Sequence, residues 1–233
     1  MWNGKLKAVT FSFDDANFQD KKVIEVLDKY NLKGTFNLNS GLLGKAWKNT
    51  FNGVVADCSK IDKKDVREVY KGHEIAGHTL THPLLTQLSD KQVVEQVEQD
   101  RLILSDIAGY EVVGFAYPCG YPNADNRVAS VIKGSTGVKY ARTVDFTWNF
   151  NLQDELFLFN PGLYQTRIDK CIELAKEFVS LKSDKPKIFY VMGHSYEVDL
   201  KLLTWGKFEE LCSILANKSD IFYGTNKQVL LEK

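Results

Sequence analysis

The chain has 233 residues, 44% of them hydrophobic, which is enough to bury the core of one large domain, so we expect a single domain over residues 1–233. Lysine plus arginine and aspartate plus glutamate both number 30, so the formal net charge is zero. Without an excess of positive charge or a dense basic run, nucleic acid is not an expected partner.

The N-terminal residues and the cysteines indicate the cellular compartment that we expect for the protein. Residues 1–7 lead directly into a strand pattern without an apolar signal-peptide core, and no later run reaches membrane-spanning length. We therefore expect a cytoplasmic protein without a membrane segment, although a secreted chain trimmed of its leader would have the same pattern. The wide spacing of the four cysteines favours free thiols in a reducing compartment for Cys58, Cys119, Cys171 and Cys212.

Short β-branched or aromatic runs alternate with longer amphipathic runs along the chain. The predicted strands are 6–13, 33–38, 73–78, 112–117, 140–144, 187–192 and 221–223, with 156–160 as a further candidate. The predicted helices are 20–30, 62–70, 89–107, 124–133, 166–181 and 204–216, and Ser89 is the expected N-cap of the longest. Residues 39–59 lack sustained periodicity and are expected to form a long loop or insertion.

This alternation predicts an α/β fold in which seven or eight mainly parallel strands are covered by helices. We expect a closed or nearly closed barrel rather than an open sheet, and the absence of a glycine-rich phosphate loop after the first strand lowers the nucleotide-binding alternative. The carboxyl ends of barrel strands form the usual active-site rim. Polar or titratable residues fall at several of these ends, namely Asp14, Asp15, His78, 117–120, Arg142 and His194.

His78 and His82 indicate a metal site. They are four residues apart, so on a helical turn both imidazoles would project from one face toward a common point. A catalytic zinc commonly adds a carboxylate and keeps one position open, and the Asp14-Asp15 doublet is the obvious donor. Alternatively, the histidines share a surface helix by chance and the aspartates cap a turn. The two signals together favour a mononuclear metal hydrolase.

The motifs in this order resemble those of the polysaccharide deacetylases of carbohydrate esterase family four. Residues 12–15, Ser-Phe-Asp-Asp, are similar to the family's Thr-Phe-Asp-Asp. Residues 78–82, His-Thr-Leu-Thr-His, match its His-Ser/Thr-x-x-His, and Pro-Leu-Leu follows as in the family. Further matches fall at 115–120 and 191–194, so the resemblance covers nearly the whole chain.

The resemblance implies a distorted barrel of parallel strands with one divalent ion as its cofactor. It implies that Asp15, His78 and His82 bind that ion, which is expected to be zinc, with cobalt, manganese and nickel as alternatives. By the same resemblance, Asp14 is the general base and His194 is the general acid.

Two family motifs depart from the pattern. The third, Arg-x-Pro-Tyr, reads Ala-Tyr-Pro-Cys at 116–119, so the arginine that orients the base is missing, and the fourth, Asp-x-x-Asp-Trp, has no clean match. Our hypothesis is that Arg142 reaches Asp14 from another wall and replaces the lost cation. The family uses the backbone N–H at the position of Cys119 for the oxyanion, and a backbone donor survives a side-chain change.

Other residues are assigned to supporting roles. An acidic residue after His194 is expected to orient the imidazole, with Asp199 preferred over Glu197. The expected substrate-binding residues are Tyr117, Pro118, Cys119, Gly120, Trp148 and Tyr196, of which the last two are preferred over Trp47 and Trp205 as aromatic platforms for sugars. His73 is expected at the surface or at a strand start rather than in the metal site.

Three functions are compatible with this reading. The first is metal-dependent removal of N-acetyl groups from saccharides that contain amino sugars, which yields acetate and a free amine. The second is hydrolysis of an O-acetyl ester or a non-sugar amide by the same centre, and the third is carbohydrate binding without turnover. The expected partner is a saccharide that carries N-acetyl groups, while the sugar, its linkage, the native metal and the oligomeric state are left open.

Overall fold

A computed structural model describes residues 1–232 and contains alternating strands and helices. The strands are β1 Lys7–Asp14, β2 Gly34–Leu38, β3 Lys48–Phe51, β4 Val54–Asp57, β5 Glu74–Gly77, β6 Gly114–Ala116, β7 Tyr140–Arg142, β8 Leu163–Tyr164, β9 Lys187–Gly193 and β10 Ile221–Tyr223. The helices are α1 Asp20–Lys29, α2 Val66–Val69, α3 Asp90–Ala108, α4 Asn126–Ser135, α5 Ile168–Ser180, α6 Trp205–Leu215 and α7 Asn226–Leu230.

Eight strands form one parallel sheet that curves into a distorted (β/α) barrel, which confirms the predicted fold class. The strand order is β7-β6-β5-β2-β1-β9-β8, and β10 pairs with the beginning of β1. At the free edge of β7, Arg142 forms a single parallel bridge to Phe159, with flanking backbone hydrogen bonds, and Phe159 lies in the segment that precedes β8. The barrel is distorted at this point because no full strand fills the gap.

Strand β1 lies at the centre of the sheet, and its two faces differ in chemistry. Because side chains alternate along a strand, Phe11 and Phe13 point outward and pack edge-on against Phe208 of α6, with ring centroids 6.1 and 6.0 Å apart. Thr10 and Ser12 point into the barrel. The main hydrophobic core therefore lies between the sheet and the outer helices.

The barrel interior is filled by hydrogen-bonded polar side chains around Asn226, the first residue of α7. The Asn226 side chain accepts from Thr10 Oγ1 at 2.8 Å and donates to Ser12 Oγ at 3.2 Å and to Tyr190 Oη at 2.6 Å. Its backbone N–H donates to Thr35 Oγ1 at 2.8 Å. The short helix α7 thus closes the barrel at the end opposite the carboxyl ends of the strands.

The structure corrects two local predictions and contains two further elements. Residues 39–59 contain the antiparallel hairpin β3–β4, and residues 156–158 form a 3₁₀ helix rather than part of a strand. Strand β8 and helix α7 were not predicted, because two and five residues are too few to establish a hydrophobic period. The other predicted strands and helices are present, several of them shorter at their ends.

The structure can also be compared with the expectations for His73, for the cysteines and for membrane-spanning helices. His73 directly precedes β5, as predicted, but it is buried and its Nε2 lies 3.2 Å from Asp28 Oδ1, so it is not a surface residue. All four cysteines are free, as predicted. Within residues 1–232, no helix is both long enough and apolar enough to cross a bilayer.

The polar interior predicts an unequal response to two asparagine substitutions. Asn226→Ala leaves buried partners without hydrogen bonds and should lower the free energy of unfolding by about 2–4 kcal/mol. Asn126→Ala is the matched control, because Asn126 is also the first residue of a helix but is exposed, and it should change stability by less than about 0.5 kcal/mol. Urea denaturation measures both, and equal losses would contradict this role for Asn226.

Candidate active site

The carboxyl ends of β1, β5, β7 and β9 lead into one cavity of about 440 Å³. The site forms because these strands end together at one rim, and the polar residues lie at the strand ends or in the loops that follow. The residues that line the cavity are Asp14, Asp15, His78, His82, Tyr117, Cys119, Gly120, Tyr121, Val144, Phe146, Tyr164, Met192, His194 and Tyr196. It therefore combines titratable groups with aromatic walls.

Asp15, His78 and His82 converge on one point, although they come from loops far apart in the sequence. Asp15 Oδ1 lies 3.9 Å from His78 Nε2 and 3.7 Å from His82 Nε2. Two ligand atoms that each lie about 2.1 Å from one ion can be at most about 4.2 Å apart, so both distances suit a shared divalent cation. Two imidazoles and one carboxylate are also a donor set used by catalytic zinc sites.

The two histidines are not on a helical turn, so that part of the prediction is wrong. Residues 78–82 form an irregular loop after β5, in which Thr79 and His82 adopt left-handed backbone conformations with φ of 70° and 62°. Thr79 Oγ1 accepts a hydrogen bond from His82 N at 3.0 Å, and Leu80 N donates to Gln96 O of α3 at 3.0 Å. The tight loop brings the imidazole centroids within 4.9 Å of each other.

His78 is oriented from both its ring and its backbone. Its Nδ1 lies 2.8 Å from Ala116 O, and burial lowers its pKa to about 4, so at neutral pH the ring is uncharged and donates from Nδ1. The lone pair of Nε2 then faces the converging carboxylate, as in metal-binding histidines held by a backbone carbonyl. Asp100 of α3 supports the same residue by accepting from His78 N at 3.0 Å.

Asp15 is held by Lys60 as well as by its position in the loop. Lys60 Nζ lies 3.7 Å from Asp15 Oδ2 and donates to Asn17 Oδ1 at 3.2 Å. Burial raises the pKa of Asp15, but the charge of Lys60 and the nearby imidazoles outweigh burial and lower it below the ordinary value. The carboxylate is therefore ionised, with Oδ1 directed toward the histidines.

Asp14 forms a buried ion pair with Arg142, at the contact that the hypothesis for Arg142 required. Arg142 Nη2 lies 2.5 Å from Asp14 Oδ1 and 2.6 Å from Oδ2, and Asn37 Nδ2 donates to Oδ1 at 2.7 Å. Burial alone raises the pKa of Asp14, but the guanidinium of Arg142 and the neighbouring imidazoles lower it to about 2. Arg142 on β7 thus supplies a cation to Asp14, and its replacement of the arginine absent from the third motif stays a hypothesis.

His194 pairs with Glu197, which corrects the preference for Asp199. His194 Nδ1 lies 3.0 Å from Glu197 Oε1, whereas Asp199 Oδ2 accepts from Gln19 Nε2 at 2.6 Å. The reason is local, because a 3₁₀ turn over Ser195–Glu197 folds Glu197 back onto the residue that precedes it. Burial lowers the pKa of His194, but the hydrogen bond and charge of Glu197 outweigh it and raise the pKa to about 9.

Comparisons with known proteins identify the family. Residues 3–140 match the family model described as polysaccharide deacetylase. The chain belongs to the polysaccharide deacetylase family. It is 29% identical over 116 residues to a bifunctional xylanase/deacetylase from Pseudobutyrivibrio xylanivorans, and 31% identical over 93 residues to chitin deacetylase 3 from Cryptococcus neoformans.

These matches cover 50% and 40% of the chain but only 17% and 21% of the two relatives. A solved structure of a family 4 carbohydrate esterase from Streptomyces lividans in complex with acetate has a TM-score of 0.59, with 15% identity over 95% of this chain and 93% of that one. At that identity the similarity shows a shared fold.

In this polysaccharide deacetylase domain, four of the six expected substrate-binding residues line the cavity: Tyr117, Cys119, Gly120 and Tyr196. Pro118 is buried and does not line it. Trp148 does not line it either. Phe146 lines the cavity instead. Its ring stacks on the Tyr164 ring with centroids 5.1 Å apart, and its centroid lies 6.0 Å from that of Trp148.

Several supporting residues were missed, and some of them left a signal in the sequence. Asp100 lies among Val93, Val97 and Leu104 on the buried face of α3, where a lone acid is a polar residue in a core position. Asn37 interrupts an apolar strand in a similar way. Phe146 carries no such signal, since an aromatic residue in a predicted loop has many explanations.

The contact between Glu197 and His194 predicts a change in one pKa. Glu197→Gln removes the negative charge that holds the imidazolium, so the pKa of His194 should fall from about 9 by at least about one unit. Asp199→Asn removes the same charge two residues away and should leave that pKa unchanged. NMR titration of the imidazole measures both, and an equal response to the two variants would contradict the assigned pairing.

Proposed function

We propose that this polysaccharide deacetylase domain is a metal-dependent hydrolase that removes N-acetyl groups from saccharides containing amino sugars. One observation carries the proposal, namely that Asp15, His78 and His82 converge beside the ionised Asp14 while His194 faces the same cavity. The relatives support acetylated sugars as substrates, since one is a chitin deacetylase and another a peptidoglycan-N-acetylmuramic acid deacetylase. Metal dependence and the roles of the residues are our inference.

Asp15, His78 and His82 would hold the divalent ion, with zinc favoured by the nitrogen and oxygen donors. When bound, such an ion polarises the acetyl carbonyl and lowers the pKa of water, which makes attack feasible at neutral pH. Asp14, whose pKa of about 2 keeps it ionised at neutral pH, would accept a proton from the attacking water as the bond to the acetyl carbon forms.

Asp14 then serves as the general base. Arg142 keeps it ionised throughout the neutral range and, together with Asn37, fixes its orientation. The backbone N–H of Cys119 has no hydrogen-bond acceptor within residues 1–232, and Cys119 lines the cavity, so this donor can stabilise the developing oxyanion. A donor of this kind contributes about 3 kcal/mol to lowering the barrier.

His194 serves as the general acid for the departing amine. With a pKa of about 9, the imidazole carries its proton at neutral pH, and Glu197 orients the ring through Nδ1. The proton on Nε2 can then be delivered to the leaving nitrogen. The base is kept charged by a cation and the acid is kept protonated by an anion, so both groups are in the required state at the same pH.

The metal site is tested by binding. Titration calorimetry of the metal-free protein with Zn²⁺ should show one ion per chain, and Asp15→Asn or His82→Ala should weaken binding by about 100-fold or more, since each removes a ligand. His73→Gln is the control, because His73 lies outside the group of three, and it should keep the wild-type affinity. Equal affinities for all variants would exclude these ligands.

The reaction is tested by acetate release from N-acetylglucosamine oligomers. Asp14→Asn keeps the shape of the base but not its charge, and it should lower kcat by about 10²–10⁴-fold while the protein still binds Zn²⁺. Asp106→Asn alters an exposed aspartate on α3 and should retain wild-type kcat. Acetate release from acetylated xylan alone would instead assign the site to O-acetyl esters.

A further inference from the structure

A second groove of about 500 Å³ adjoins the catalytic cavity. Tyr164 lines both, so the two spaces lie on either side of one tyrosine. The hydroxyl of this tyrosine donates to Glu197 Oε1, which holds the shared wall in place. The groove is lined by Phe51, Tyr164, Thr166, Arg167 and Leu202.

The hairpin β3–β4 forms the outer wall of the groove. Its two turn residues, Asn52 and Gly53, both have left-handed backbones with φ of 48° and 76°, as tight two-residue hairpins require. Phe51 stands beside this turn and is 46% exposed. At its base the hairpin is anchored, because Ala56 packs in one small cluster with Leu200 and Leu202 from the loop after His194.

Arg167 is the charged group of the groove. It is exposed, and two carboxylates on adjoining segments have other partners, since Asp169 pairs with Lys207 at 3.1 Å and Glu197 pairs with His194. Arg167 makes no salt bridge or side-chain hydrogen bond within residues 1–232. A guanidinium presents a planar fork of donors that matches a carboxylate, so an anionic group in the groove would satisfy it.

We propose that this groove is a subsite for a sugar residue that carries a carboxylate and is joined to the N-acetylated residue in the cavity. The inference rests on the proposed function and narrows its substrate class to anionic saccharides. Arg167 would bind the carboxylate, while the Tyr164 and Phe51 rings supply flat apolar surfaces for the sugar. The shared tyrosine places the two spaces side by side, as neighbouring residues of one saccharide require.

The short segment that carries Arg167 also holds the catalytic acid. On the buried side of this segment, Gln165 Nε2 donates to His194 O and to Glu197 Oε2, both at 2.7 Å. On the other side, Thr166 and Arg167 face the groove. Recognition of the neighbouring sugar and positioning of the acid therefore depend on the same four residues, 164–167.

The test compares pairs of tetrasaccharides that differ only in charge. One pair alternates N-acetylglucosamine with glucuronic acid, and the other alternates it with N-acetylmuramic acid, each with a partner whose carboxyl groups are amidated. Wild-type protein should have a higher kcat/KM for the acidic member of at least one pair. In Arg167→Gln the acidic-to-amidated ratio should fall about tenfold, mainly through KM, and 1 M salt should reduce the wild-type ratio.

Lys185→Gln is the matched control, since Lys185 is an exposed cation in the loop before β9, at the opposite end of the barrel, and the ratio should keep its wild-type value. Phe51→Ala should weaken use of the acidic and amidated members alike. Equal wild-type rates on both members of both pairs, or a ratio unchanged in Arg167→Gln, would overturn the subsite.

The subsite can also be judged if no substrate is turned over. Calorimetry measures binding of the same tetrasaccharides without catalysis, and tighter binding of an acidic member that is lost in Arg167→Gln would support the subsite while the proposed hydrolysis fails. Acetate release with no preference for charge would support the hydrolysis and reject the subsite.

Discussion

The buried ion pair between Arg142 and Asp14 is the interaction on which the site depends. Both side chains are almost completely buried, so each charge is tolerated only because the other is in contact with it. Removing one partner of such a pair typically costs about 3–5 kcal/mol, because the remaining charge stays buried. The pair joins β1 to β7, two strands that are not neighbours in the sheet, and it thereby fixes the width of the barrel mouth.

The remaining groups at the mouth are arranged around this pair by charge. The excess of negative charge from Asp14 and Asp15 is offset by Arg142 and Lys60 on one side and by the protonated His194 on the other. His78 stays neutral because burial lowers its pKa by more than the neighbouring Asp14 and Asp15 carboxylates raise it. A neutral imidazole and an ionised carboxylate are the forms in which these residues bind metal ions.

Much of the fold and part of the site could be predicted from the sequence. Long strands such as β1 and β9 carry clear patterns, and the rule that barrel chemistry collects at strand ends correctly grouped Asp14, Asp15, His78 and His194. The preference for Asp199 failed because sequence proximity does not show how a 3₁₀ turn folds a side chain back. Strand β8 was missed because two residues make no period.

The helical turn expected for the two histidines failed for a related reason. A spacing of four residues fits one face of a helix, but an irregular loop with two left-handed residues brings the same rings together. Spacing alone did not separate these conformations, and the left-handed backbone at Thr79 and His82 is uncommon for residues other than glycine. The convergence of the two rings with Asp15 was predicted by combining the histidines with the Asp14-Asp15 doublet, and not by the spacing of the histidines alone.

The origin of Arg142 on β7 has a consequence for how related proteins are recognised. Asp14 contacts a cation at a fixed place in space, and any strand end that faces this place could supply one, so the position of the arginine in the sequence could differ while the contact with Asp14 is kept. A pattern that requires an arginine in the third motif does not match residues 116–119, whereas a template of the distances between the guanidinium and the Asp14 carboxylate would match Arg142.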